Sequence, residues 1–152
     1  MQVVTAKSSP DEISVELSSR RTGMSFQRTR MSADRTLMSV IRTSLSLIGF
    51  GFTIFQVFEK LKEAGTLTHA GAPRNFGIAL VSLGIVMLLT GMIYHLRFML
   101  GLRRSRDAMA HDGLVHAESE FPPSLTFITA VLLLLLGLGA GASMVFNIGP
   151  FG

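Results

Sequence analysis

Three arginines recur every seven residues in this sequence of 152, at Arg28, Arg35 and Arg42. Seven residues are close to two helical turns, so on a continuous helix these side chains share a face and stand about 10 Å apart in height. They run into a polar series, Ser32, Arg35, Ser39, Arg42, Ser46, Gly49, Thr53 and Gln56, whose intervals alternate between three and four. That alternation marks one seam of a helix, and Leu37, Ile41, Leu45, Ile48, Phe52 and Phe55 point elsewhere. Stacked guanidinium groups attract phosphate and other anions through bidentate hydrogen bonds and field focusing, so several copies of the stripe around a shared wet axis would form an anion path. His95 and Arg97, with Arg103, Arg104 and Arg106 just beyond, would add positive potential at its mouth. The plainer readings stand beside this one. Arg42 snorkels to the interface or pairs with a carboxylate such as Asp107 or Glu118, His95 is a hydrogen-bonded interfacial histidine, and the arginines at 103 to 106 mark topology and meet anionic headgroups.

The elements that carry these residues are membrane helices. Only 16% of the chain is charged, below the usual quarter or so, while 48% is hydrophobic, so the apolar residues are concentrated in stretches. Residues 36–58 hold a single charge, Arg42, and 23 helical residues cover about 34 Å, enough to cross a bilayer. A second stretch, 75–94, has no charge and continues its apolar pattern to about 100. The third, from Phe121 onward, lacks any ionisable side chain and contains five consecutive leucines, Leu132 to Leu136. The expectation is an all-α protein, a three-transmembrane-helix bundle with spans at about 36–58, 75–100 and 124–148. Residues 1–31 read as a polar, basic, mobile cytoplasmic tail, with Ser32 as helix N-cap and Asp34 in the first turn. The first span reads as an uncleaved signal-anchor, since a long polar segment precedes it.

Orientation follows from Lys and Arg. The tail and the second loop hold nine (Lys7, Arg20, Arg21, Arg28, Arg30, Arg35, Arg103, Arg104 and Arg106) against three in the first loop (Lys60, Lys62 and Arg74). The N-terminus is therefore expected in the cytoplasm and the C-terminus outside.

Small residues are placed for close helix contact. Gly77, Gly84 and Gly91 lie seven apart, Gly137 and Gly141 four apart, and Gly49 lies on the first span. All six read as packing sites, either within a subunit or between subunits.

Several chemistries find no support. With no Cys there is no disulfide, thiol nucleophile or Cys-based metal centre. His111 and His116, near Asp112, Glu118 and Glu120, match no metal-ligand spacing, and no phosphate-binding Gly-rich loop, nucleophile elbow or zinc-protease helix occurs. No enzyme, cofactor or metal is expected. The net charge of +4 suits anionic lipid rather than nucleic acid, because the tail mixes acids with bases and its one Phe, Phe26, makes no stacking platform.

The segment ADRTLMSVIRTSLSLIGFGF, residues 33–52, resembles the first-helix motif of the bacterial YidH-like membrane family, domain of unknown function 202. The family pattern looks like Asn-Glu-Arg-Thr-Phe-Leu-Ala-Trp-Ile-Arg-Thr. Arg35, Thr36, Ile41, Arg42 and Thr43 match it, while Ala33, Asp34, Leu37, Met38, Ser39 and Val40 replace the other six. The same fold is similar to the transmembrane domain of the eukaryotic vacuolar transporter chaperone complex, which makes polyphosphate and moves it across a membrane. YHLRFMLGLRRSR, residues 94–106, resembles that complex's Tyr-His-x-Arg followed by arginines. The resemblance covers about 33–148. It implies a bacterial inner-membrane location and a homo-oligomer, with a pentamer as the form seen in that complex. It further implies a polyphosphate path lined by first-helix basic residues, to which Arg28 and Arg35 correspond. Arg42 fits the bacterial pattern but not the eukaryotic one. The polymerase and inositol-phosphate-sensing domains of the complex have no counterpart here, so a separate cytosolic partner would supply substrate.

The expected function is a small multi-pass membrane protein, oligomeric, with an arginine-lined conduit or binding site for an anion such as polyphosphate. The alternative is a non-conducting scaffold or accessory subunit, in which the stripe packs against the second and third helices. A proton-coupled transporter is disfavoured because no carboxylate lies within a span.

Overall fold

The structure is a computed structural model that describes residues 9–65, 71–111 and 124–146. Those residues form three helices, α1 (Pro10–Glu63), α2 (Gly71–His111) and α3 (Leu125–Phe146), with no strand among them. Each helix contains a stretch long and apolar enough to cross a membrane. The three-span expectation therefore holds, but α1 and α2 run well past the expected spans.

The helix start expected at Ser32 lies instead at Pro10, inside the segment read as a mobile tail. The cause is local. Ser9 and Glu12 form a reciprocal capping box, with the Glu12 amide donating to Ser9 Oγ (3.3 Å) and the Ser9 amide donating to Glu12 Oε2 (3.1 Å). Pro10 occupies the first helical position, where its missing N–H costs nothing, and Asp11 and Glu12 complement the dipole in the first turn. Gly23 sits in mid-helix at a propensity cost of about 1 kcal/mol. This stretch is too polar to form an apolar run, which is why a hydropathy reading starts the helix too late. At the other end of α1, Lys60 and Lys62 lie in the last turn and Gly65 takes a left-handed φ of 70°, its amide donating to the Lys62 carbonyl (3.0 Å). α2 likewise exceeds the expected 75–100, taking in Pro73 and Arg74 at its start and all of Arg103, Arg104 and Arg106 near its end.

The chain divides into two compact units, one of Met1–Asp34 with His95–Pro122 and the other of Arg35–Tyr94 with Pro123–Gly152. In the second unit α1 buries Leu37, Ile41, Ser44, Ile48, Gly51 and Phe55, at intervals alternating between four and three. Leu37 and Ile41 pack with Leu88 of α2 and Ala130 of α3, and Phe55 packs with Val81 of α2 and Met144 of α3. Without water, apolar burial contributes little inside a bilayer, and close approach of the backbones supplies the contact energy instead. The glycines set that approach. A Cβ on Gly51 would lie 2.7 Å from the Gly77 carbonyl oxygen, and one on Gly77 2.7 Å from the Gly51 carbonyl oxygen. A Cβ on Gly84 would meet Ile48 at 2.8 Å and the Ser44 carbonyl at 3.0 Å, and one on Gly91 would meet Val40 at 2.6 Å. Gly137 faces Ile48, and Gly141 faces Ile85 and Val81. Five of the six glycines singled out in the sequence thus meet neighbouring helices of the same chain. Gly49 has nothing of its own chain within 4 Å of a Cβ, so of its two expected modes of packing only contact between subunits is left to it.

Candidate anion site on the outer face of α1

The polar series on α1 is offset by two residues from the packing seam just described. Two residues rotate a helix by about 200°, so the series faces away from α2 and α3. Accordingly Arg35, Ser39, Arg42, Ser46, Gly49 and Thr53 are all exposed. This corrects the scaffold alternative, in which the stripe packs against the second and third helices. The seam facing them is the other one, whose glycine and aliphatic residues fit the α2 glycines.

Ser46 and Thr53 on this face, and Thr43 beside it, turn their hydroxyls back on their own helix. Thr43 Oγ1 donates to the Ser39 carbonyl (3.1 Å), Ser46 Oγ to the Arg42 carbonyl (3.0 Å) and Thr53 Oγ1 to the Gly49 carbonyl (2.9 Å). Such back-bonding lets hydroxyl residues sit in apolar surroundings at low cost. It does nothing for the guanidinium groups. Arg35 and Arg42 are exposed, and neither forms an ion pair with a described residue. One of the plainer readings of Arg42, beside snorkelling to the interface, pairs it with Asp107 or Glu118. Asp107 is exposed on α2, and Glu118 lies outside the described residues. An Arg within a span costs about 2.5 to 3.5 kcal/mol on insertion scales, so the outer face of α1 carries an uncompensated demand for negative charge or water.

In the first unit, Arg28 and Ser32 are exposed on α1, and Arg97, Arg103 and Arg104 are exposed on α2. His95 differs from these. It is only 5% exposed, and its Nε2 lies 3.5 Å from Asp34 Oδ1, at ion-pair distance if the imidazole is protonated. His95 therefore joins α2 to α1, which fits the plainer of its two sequence readings, a partnered histidine, better than a place on an outer anion path. Arg106 is also buried, at 8%. The 3.5 spacing could have revealed both, since residue 95 is four beyond Gly91 and 106 is eleven, or three turns, beyond 95.

At the opposite end of the second unit, Arg74 lies over the ring of Phe55, 5.7 Å from its centroid. This cation–π contact attaches the start of α2 to the α1 seam and offsets an unfavourable cation at a helix N-terminus. Sequence counting had treated Arg74 as a loop charge. Of the second-loop histidine and acid cluster, His111 is exposed at the end of α2, and Asp112, His116, Glu118 and Glu120 lie outside the described residues. No metal-ligand group occurs among the described residues.

Three apolar helices, two of them joined by a ladder of glycines, define a small membrane protein. Residues 28–101 match the family described as Domain of unknown function (DUF202), the same family that the first-helix motif resembles. The match takes in Arg28, Arg35, Arg42 and the whole glycine ladder of α2, and it stops before α3. No curated protein and no solved structure matches the chain.

Proposed function

We propose that this protein is a homo-oligomeric inner-membrane protein, not an enzyme, whose α1 outer faces together bind and conduct a multivalent anion of the phosphate class, such as polyphosphate. The observation that carries the reading is the pair Arg35 and Arg42, exposed without a described ion partner on a polar face directed away from the rest of the subunit. Such a face is poorly suited to lipid tails. Around a shared axis, the guanidinium groups would instead be hydrated and would offer forked donors to phosphoryl oxygens at successive heights. Arg28, Arg97, Arg103 and Arg104, exposed in the other unit, would concentrate the anion at the cytoplasmic side. A cytosolic enzyme would supply the substrate.

The test is flux of polyphosphate or phosphate in proteoliposomes. Arg42→Leu is expected to abolish flux while leaving the oligomer intact, and equal flux in mutant and wild type would overturn the reading. Water access can be measured independently because the chain contains no native Cys. Single cysteines at positions 39, 42, 46 and 53 should react with a charged, membrane-impermeant thiol reagent, whereas cysteines at Leu132 and Leu135 on the exposed leucine face of α3 should not. Unreactive positions along α1 together with retained protein would instead favour an accessory subunit whose arginines hold lipid headgroups.

A further inference from the structure

Residues 17–44 of α1 are four consecutive heptads, LSSRRTG, MSFQRTR, MSADRTL and MSVIRTS, each beginning with Leu or Met, then Ser, with Arg fifth and Thr sixth. A fifth, LSLIGFG, keeps only the first two positions. The internal bonding repeats with the sequence. Thr22, Thr29 and Thr43 each donate to the carbonyl of the Ser four residues earlier, at 3.0, 2.9 and 3.1 Å. With the threonines turned back on the helix, the leading residue, Ser and Arg of each heptad are left facing outward.

In the first unit Leu17, Met24 and Met31 are exposed, with Ser18, Ser25, Ser32, Arg21 and Arg28. In the second, Met38 and Leu45 are exposed, with Ser39, Ser46, Arg35 and Arg42. The leading residues of the five heptads are 49%, 51%, 53%, 37% and 52% exposed, so each keeps a substantial apolar surface that its own chain leaves open. A straight helix drifts about 20° per heptad against a strict seven-residue repeat, so the shared positions of four successive heptads stay on one seam only if the helix supercoils with a partner. α2 is not that partner, because it occupies the seam of Leu37, Ile41, Ser44, Ile48, Gly51 and Phe55.

We propose that this repeat is a self-assembly element, through which copies of the chain associate by α1 in parallel and in register. A second copy fits for two reasons. Chains inserted by the same charge bias share one orientation, so their first helices run parallel. A face built of one heptad repeated four times also matches itself layer for layer, Met or Leu against its equivalent and Ser against Ser. In such an assembly each arginine layer gathers like charges at one height, and an anion between them relieves the repulsion. The inference in this respect rests on the anion reading and gives that site its second component, the neighbouring subunit. The repeat also begins before residue 28, where the family match begins, so assembly extends beyond the matched domain.

The test is same-residue cross-linking of the full-length protein in native membranes with a short bis-maleimide. Met24→Cys, Met31→Cys and Met38→Cys, at exposed sites that tolerate the change, are compared with Phe26→Cys, Ala33→Cys and Leu37→Cys on the inner side of α1. The expected result is a cross-linked dimer severalfold stronger for the first three, recurring every seven residues, since each chain then carries a single thiol. Equal or absent cross-linking in the two sets would overturn the proposal, with the yield of inserted protein confirming that each variant folds. Seven-residue periodicity in a protein that moves no anion would keep the assembly and remove the conduit, while flux without periodicity would do the reverse.

Discussion

Two faces of the second unit are equally bare of contacts from their own chain, and they have opposite chemistry. On α3, Leu125, Ile128, Leu132, Leu135, Leu136, Leu138, Val145 and Phe146 are exposed, a surface that lipid tails satisfy fully. On α1, Arg35, Ser39, Arg42, Ser46, Gly49 and Thr53 are exposed, a surface that lipid tails do not satisfy. Leu contributes about −0.3 to −0.6 kcal/mol to insertion at mid-membrane, and Arg opposes it by about 2.5 to 3.5. Exposure alone therefore does not distinguish a lipid face from a working face; what the exposed atoms require of their surroundings does. The α3 face needs nothing further, and the α1 face needs water, an anion or a neighbouring subunit.

The contrast breaks most visibly when charge is moved from one face to the other. Leu135→Arg should lower membrane-inserted protein by an equilibrium factor on the order of a hundred, corresponding to about 3 kcal/mol, read by alkaline extraction. Arg42→Leu should leave the inserted amount the same or higher, and a loss comparable to that of Leu135→Arg would mean that Arg42 is structural. Next in size are the glycines. Gly84→Leu places a side chain where Ile48 and the Ser44 backbone already stand, and should destabilise the subunit by about 1 to 3 kcal/mol in detergent unfolding. Gly49→Leu meets nothing within the chain and should leave subunit stability within about 1 kcal/mol while disturbing assembly or flux. The smallest effect sharpens the inner seam. The Ser44 hydroxyl is fully buried with no hydrogen-bond partner, so Ser44→Ala should raise the unfolding free energy by about 1 kcal/mol.

Much of this was legible from residue order. Three apolar stretches, each longer than a bilayer requires, left little freedom in fold class, and the Arg-Thr and Ile-Arg-Thr pairs of the first span pointed to the DUF202 domain found over 28–101. The start of α1 was missed because a capping box at Ser9 and Glu12 specifies a helix without an apolar run, and hydropathy responds only to such a run. For His95 the residue order leaves a basic mouth and a partnered histidine both open, because a lone sequence shows its charge type but not its neighbour, Asp34, sixty-one residues earlier. The tandem Leu/Met-Ser-x-x-Arg-Thr heptads were present in the sequence throughout. Their meaning depended on knowing that the positions they repeat are the ones the subunit leaves uncovered.

Composition and period by themselves determined that the chain has three segments long and apolar enough to cross a membrane and that one face of its first helix is polar, because insertion free energy and helical spacing are properties of a single segment. Only tertiary structure decided which of the two 3-4 seams of α1 is consumed inside the subunit. That choice depends on how closely two backbones can approach, and the approach is set by Gly51 against Gly77 and by Gly84 against Ser44 and Ile48, contacts between residues far apart in the chain. With the inner seam filled in this way, the arginines are left facing outward.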